Sequence, residues 1–238
     1  MNSKLFKLNL EEIFFVDIET ASKNRELTKE ERSDFEKYFN QQNVVDLSIE
    51  DFYKKNAGLK PEFNRIICIS VGFIKNGIFK CKSFYGDDEA EIITEFYKLI
   101  GNPNFSHFKL CGHNLIKFDV PMIRLKGFFN GVDMKLIPPR FNDVDSKPWE
   151  ISNELIDTMQ LLSGTAYNYI SLSNLCRLLN LTSSKEGEVN AENVSENYYN
   201  GNMVDIKNYC ERDVLATTLV LCKIAGKPND FIKDVKFL

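Results

Sequence analysis

Apolar residues in this chain gather into a few short, dense runs, separated by charged stretches with helical spacing. Residues 12–19, EIFFVDIE, form an apolar run that closes on two acids. A short continuous run of this kind predicts a strand buried on both faces. Residues 24–57 change character. NRELTKEERSDFEKYFNQQ and LSIEDFYKKNAG set apolar and aromatic residues at roughly helical intervals among charges, which predicts a helical excursion between the first two strands. RIICISVGFIKNGIFKCKSFY then holds two β-rich runs flanking Asn76-Gly77, a dipeptide that favours a tight hairpin turn. DDEAEIITEFYKLIG reads as a helix, with acids in its first turn and Gly101 near its end.

FKLCGHN is a short strand leading into a loop, and FDVPMIRLKGFF is a helix beginning near Asp119, with Pro121 suited to a first turn. Residues 130–150 are rich in Pro, Asp and Asn and predict a long loop. LIDTMQLL is a short apolar segment, SLSNLCRLLN a helix with a serine N-cap candidate, and SSKEGEVN a polar loop. IKNYCERDVLATTLVLCKIAG is a long amphipathic helix ending at Gly226. Strand, hairpin, helix, strand, helix and then mostly helices describe an α/β fold, a central mixed sheet with helices on its faces. The expectation is one domain over residues 1–238, with a helical insertion at about 24–60.

Composition narrows the class of protein. At 43% hydrophobic and 27% charged residues, the chain suits a globular domain with a substantial core. It has no run of about 18 or more apolar residues, so no membrane span is expected. The start, MNSKLFKLNLEE, lacks the apolar run of a secretory signal. Six scattered cysteines, with no C-x-x-C, are read as reduced thiols in a cytoplasmic protein. A net charge of −4 argues against holding nucleic acid by bulk positive charge. It permits local binding of a few nucleotides, because cations bound to clustered carboxylates reverse the local sign and attract phosphate.

Such carboxylates are present. Asp17 and Glu19 stand two apart, so on a strand they share a face and can reach one cation from the strand's end. The same spacing in Asp34-Phe35-Glu36 and Asp87-Asp88-Glu89 falls in charged stretches and reads as helix surface or helix start. Asp119 could cap the helix that contains Pro121, point into a cleft, or do both. Asn114 and Phe118 fit a turn residue and a core residue equally well. Tyr209 and Asp213, four apart, share one face of the final helix. They are either an exposed pair or, among apolar neighbours, a pair that looks into a cleft and needs a partner or a metal. Taken together, four carboxylates and a phenol can hold two divalent cations and orient a water for phosphodiester hydrolysis. Oxygen ligands suit Mg²⁺. Cys111 and His113, which flank Gly112, do not amount to a zinc site.

The order D-x-E, N-x₃-F-D, Y-x₃-D resembles the DEDD superfamily of 3′–5′ exonucleases. The tyrosine resembles its DEDDy branch, because the DEDDh branch would place a histidine where Asn208 stands. GLKPEFNRIICISVGF, CGHNLIKFDVPMI, LIDTMQLL, SLSNLCRLLNL and YCERDVLATTLV look like segments of the predicted exonucleases related to the proofreading domain of family B DNA polymerases. The resemblance runs from about Phe14 to Ala225.

This resemblance implies a ribonuclease-H-like fold and two divalent cations, Mg²⁺ or Mn²⁺. It implies that Asp17, Glu19 and Asp213 hold the tighter ion, that Asp17 bridges to the second, and that Asp119 positions that second ion. It also implies that Tyr209 orients the attacking water and that Asn114 and Phe118 line the pocket for the terminal nucleotide. Lys185 is a candidate phosphate contact, in a loop with serine where relatives often have proline, and Asp157 matches a recurrent acid with a supporting role. The implied partners are nucleic-acid 3′ ends, single-stranded DNA first, and a polymerase or repair protein in trans. An exoribonuclease with the same chemistry, and a non-catalytic module that binds nucleic acid or a polymerase, are the alternatives.

Overall fold

The computed structural model describes residues 3–42, 44, 46–142, 154–163, 169–181 and 188–238. Lys185 and most of the polar loop 183–190 therefore lie outside the described residues, as do 143–150 of the expected long loop. The part of that loop that is described holds short 3-10 turns at Met134–Leu136 and Pro139–Asn142.

Six strands make one mixed sheet: β1 (Ile13–Ser22), β2 (Asn64–Lys75), β3 (Ile78–Tyr85), β4 (Lys109–Gly112), β5 (Leu155–Asp157) and β6 (Asp234–Phe237), in the order β5-β4-β1-β2-β3-β6. The β1/β2 and β2/β3 pairs are antiparallel, and β1/β4, β4/β5 and β3/β6 are parallel. Asn76 and Gly77 turn β2 into β3 with φ of 53° and 75°. Two consecutive positive φ values are what a two-residue hairpin needs to match strand twist.

The helices are α1 (Ser3–Phe6), α2 (Lys29–Gln41), α3 (Ile49–Asn56), α4 (Glu89–Ile100), α5 (Asp119–Phe129), α6 (Thr158–Ser163), α7 (Leu172–Leu179), α8 (Val194–Tyr199) and α9 (Met203–Ile224). Thr28, Ser48, Asp88 and Ser171 cap α2, α3, α4 and α7 by accepting from the N–H three residues on. The last helix stops at Gly226 (φ 69°), where Lys227 N–H reaches back to the Cys222 carbonyl at 3.0 Å. Among the described residues no helix is long and apolar enough to cross a membrane.

Strand β1 lies inside the sheet between β4 and β2, buried on both sides. Its alternation divides the core. Phe14, Val16 and Ile18 pack with α4 and α5 residues such as Ile93, Phe96 and Ile123 on one face. Ile13 and Phe15 pack with Leu175, Val214 and Val220 of α7 and α9 on the other. Asp17 and Glu19 have the parity of Phe15 and so continue the α9 face. The strand does not end at these acids, as the apolar run suggested. It continues to Ser22 after a register shift against β2 between Glu19 and Thr20. The acids thus sit mid-strand beside an irregularity of the kind that re-aims side chains near sites.

Between β1 and β2, α2 and α3 close over a small aromatic cluster of Phe35, Phe52, Tyr53, Ala57 and Phe63. Asp34 of the second D-x-E pairs with Lys37 on the exposed face of α2, and Asp88 of the third caps α4. Three elements carried no sequence signal: α1, α8, and the edge strand β6, whose four residues are all exposed.

Candidate active site

Helix α9 lies across the sheet and brings Tyr209, Cys210 and Asp213 towards the β1 acids. Cys210 Sγ is 3.4 Å from the Asp17 carbonyl and 3.5 Å from Asp17 Oδ2. One ligand atom from each of Asp17, Glu19 and Cys210 lies within 4.8 Å of the others. Asp119 arrives from the opposite side, at the start of α5, and its carboxyl is held by the backbone of Ile18, the residue between the two β1 acids. Asp17, Glu19, Asp119, Tyr209 and Asp213 all line one pocket of about 180 Å³, with Phe118 in its wall. Residues up to about 200 positions apart therefore meet at one point of the central strand.

Local structure explains how Asp119 gets there. It does not cap α5: the N-cap position is Phe118, which makes no side-chain cap bond, and Asp119 is the first helical residue, 3% exposed. The preceding turn is set by Asn114, whose φ is 69° and whose carbonyl accepts from Lys117 and Phe118 at 3.2 and 3.0 Å. Asn114 is thus a turn residue outside the pocket wall, whereas Phe118 lines it.

The turn is pinned by Asp157, fully buried, which accepts backbone N–H groups from Asn114, Ile116, Met159 and Gln160 at 3.0–3.3 Å. It is pinned again by Gly112, where a Cβ would stand 2.8 Å from Leu115 Cβ and 3.0 Å from the Val16 carbonyl. His113 reaches the pocket, yet its ring nitrogens are engaged at 2.9 Å by Thr158 Oγ1 and the Ile170 carbonyl. A carbonyl can only accept, so Nε2 carries the proton towards Ile170, while the Thr158 hydroxyl lies between Nδ1 and the Gly112 carbonyl, 3.2 Å away. Both ring nitrogens are thus engaged by the fold. Cys111 is buried in the α9-side core.

Electrostatics follow from crowding acids in a poorly solvated place. Burial raises the Asp17 pKa well above the ordinary carboxylate range, and the negative charges of Asp213 and Asp119 add to it. Glu19 is raised by burial and then by Asp17 and Asp213. Burial pushes Asp119 up to about 8 against the opposing pull of its backbone contacts. The Tyr209 phenol is raised by burial and then by the Asp213 carboxylate, towards which its hydroxyl donates. Acids crowded and buried in this way retain protons at pH values where free carboxylates lose them. Lys55, from the end of α3, is the one cationic side chain among the described residues that line the pocket.

Sequence reasoning missed two contributors. Cys210 was hidden inside the Tyr209–Asp213 motif. The end of α3, with Lys55, and the 3-10 turn after it, with Gly58 and Leu59, are drawn in by the Thr20 hydroxyl donating to the Gly58 carbonyl at 2.6 Å.

Residues 56–233 match the family described as predicted 3′-5′ exonucleases related to the exonuclease domain of PolB. That span holds Asp119, Tyr209 and Asp213, whereas Asp17 and Glu19 precede it and join them through the fold. Among solved structures, the family B DNA polymerase from the hyperthermophilic archaeon Pyrobaculum calidifontis superposes with a TM-score of 0.55 at 15% identity. The likeness covers 89% of this chain and 24% of the polymerase, so the chain spans about a quarter of that protein's length. No curated protein matches the chain.

Proposed function

The chain belongs to the predicted 3′-5′ exonucleases related to the exonuclease domain of PolB, and on that premise we propose that it hydrolyses the terminal phosphodiester at 3′ ends of single-stranded DNA, using two divalent cations, in the DEDDy manner. One observation carries the reading: four carboxylates and a phenol from β1, α5 and α9 line a single pocket around Ile18.

The donor set fits hard divalent cations. It consists of oxygens, crowded and buried enough to hold protons when no countercharge is near. Dications are the countercharge that such oxygens prefer. When bound, Mg²⁺ or Mn²⁺ supplies the Lewis acidity that makes water nucleophilic at neutral pH and offsets charge on the phosphate. Asp17, Glu19 and Asp213 would hold one ion, Asp17 would be shared with a second, and Asp119 would set the second ion's place. Tyr209 keeps its proton across the working pH range, since burial and Asp213 disfavour the phenolate. Its hydroxyl therefore orients the attacking water rather than accepting its proton. Phe118 offers a ring to the terminal base, and Asn114 acts through the turn it sets. Lys185 remains a candidate phosphate contact.

A frayed or single-stranded end suits a pocket sunk between β1 and α9, and the net charge of −4 suits local rather than broad nucleic-acid binding. Proofreading in trans beside a polymerase, or trimming ends for repair, are the settings that such an activity serves.

The test uses 5′-labelled single-stranded DNA and RNA of one sequence, with Mg²⁺, Mn²⁺ or EDTA. A metal-dependent ladder shortening from the 3′ end, faster on DNA, is the expected result. An inert wild-type protein, or full activity in Asp17→Ala or Asp213→Ala, would sink the assignment.

A further inference from the structure

Behind the pocket, between α9 and the sheet, lies a second polar system. Asp17 pairs with Ser70 of β2, and Ser70 with Ser83 of β3. Opposed residues of antiparallel strands share a face, so these three side chains form a polar row under α9. Glu19 and Cys68, also directly paired, begin the next row. The sheet's core is otherwise apolar here, and each polar group must find a partner.

The partners form one continuous path. Ser83 Oγ donates to Glu211 Oε1 at 2.8 Å. Ser70 Oγ is 2.7 Å from Ser83 Oγ, and Cys68 Sγ is 3.7 Å from Ser70 Oγ. Cys68 in turn contacts the Cys210 thiol. Cys210 closes the path on Asp17, 3.5 Å from Oδ2 and 3.4 Å from its carbonyl. At the far end Glu211 is 1% exposed and paired with Lys207 at 3.1 Å.

Hydrogen counting fixes the directions. Ser83 spends its proton on Glu211, so Ser70 must donate to Ser83, and Cys68 is left to donate to Ser70 or to Cys210. The Cys210 proton is then the one available to Asp17. Four protons serve five contacts, so one of the two Cys68 contacts is packing rather than a hydrogen bond, and hydrogen bonds and packing together tie α9 to β1, β2 and β3.

We propose that this relay positions the site: Cys210 holds the Asp17 carboxyl in its ion-binding orientation, and Ser70, Ser83 and Glu211 hold Cys210 in place through the sheet. Cys210 is thus a positioning residue rather than a catalytic one, and the inference rests on reading Asp17 as a metal ligand. Position 210 needs a small donor. Alanine removes the donor while keeping the packing, and serine restores it.

The experiment measures Mn²⁺ binding by titration calorimetry, with thermal denaturation of the same samples. Cys210→Ala should weaken Mn²⁺ binding by about three- to tenfold, the loss of one modest hydrogen bond, and Cys210→Ser should return it to within about twofold. Ser83→Ala, which touches neither Asp17 nor Cys210, should weaken binding about two- to threefold. It should add little to Cys210→Ala, because a relay cut at one link is not cut again at another. Wild-type affinity in Cys210→Ala, or additive effects in the double variant, would overturn the relay. If Cys210→Ala does not fold, Ser83→Ala alone decides: unchanged Mn²⁺ affinity there overturns it too. A wild-type protein that binds no Mn²⁺ defeats the metal-site reading instead, so the two failures are distinguishable.

Discussion

Asp119 offers a direct test of the electrostatics. Its carboxyl goes from an ordinary 3.8 to about 8 in the fold, chiefly through burial. An acid whose pKa rises on folding binds more protons in the native state, so its contribution to stability is present below the ordinary value and is lost as pH climbs through the folded one. At face value that span corresponds to roughly 6 kcal/mol at 1.36 kcal/mol per pKa unit. This is a large part of the 5–15 kcal/mol that holds a typical domain together. The pocket opens to solvent, and water entering a cleft around a charged group recovers much of that cost, so about 1–3 kcal/mol is the working expectation.

Asp119→Asn keeps the shape and the oxygen that meets the Ile18 backbone but cannot ionise. Without metal at pH 8 the variant should therefore be more stable than wild type, with Tm higher by about 2–12 °C for a chain of this size. At pH 5 the native carboxyl holds its proton while the unfolded one has largely lost it, so about a third of the gap should remain, and the two should melt together only below the ordinary value of 3.8. Saturating Mn²⁺ should raise the wild-type Tm at pH 8 and close the gap. The assay is thermal denaturation by circular dichroism at both pH values, with EDTA or Mn²⁺. A variant that is no more stable at pH 8 than at pH 5, relative to wild type, would refute the claim that Asp119 is held against its charge.

Other perturbations separate chemistry from scaffold. Tyr209→Phe should lower kcat by about 10²-fold, the scale of losing one oriented donor, with Mn²⁺ affinity within twofold by calorimetry; weakened metal binding instead would contradict the water-orienting role. Asp157→Ala strips the acceptor from four backbone N–H groups and should cost about 3 kcal/mol or more in urea denaturation, whereas a loss under 1 kcal/mol would mean that the Asn114 turn holds itself. Gly72→Ala would bring a Cβ within 2.7 Å of the Phe79 ring and of Val214; the expected destabilisation is about 1–3 kcal/mol, read as a lower denaturation midpoint with unchanged slope.

How much of this was legible in the sequence depends on the range of each signal. The hairpin was readable because Asn76-Gly77 is a local instruction, and α7 because Ser171 caps it within three residues. Strand β6 was not, because four exposed residues carry almost no burial pattern and are extended by their pairing with β3. The extension of β1 past Glu19 escaped notice because Thr20–Ser22 are extended by their pairing with β2, not by their own hydrophobicity. Spacing along one element correctly puts Asp17 beside Glu19, and Tyr209 on the face of Asp213. No spacing rule joins those two elements. Cys210 was overlooked for the same reason: its meaning comes from Asp17, 193 positions earlier.

A site that gathers several acids in one buried place works against its own fold, so each acid has to be held by something that does not relax. The structure meets this requirement differently for each one. Asp17 and Glu19 lie on an interior strand gripped by neighbours on both edges, which cannot shift without slipping register against β2 and β4. Asp119 is fixed by the turn before it, through the close approach at Gly112 and the four N–H groups gathered by Asp157. Asp213 and Tyr209 ride on a helix of 22 residues whose apolar face is sunk in the core and whose polar neighbours Cys210 and Glu211 are tied into the sheet. Repulsion among the acids therefore cannot be relieved by moving them apart. On the proposed reading it is relieved by taking up protons or cations, which would make occupancy of the pocket depend on pH and metal together.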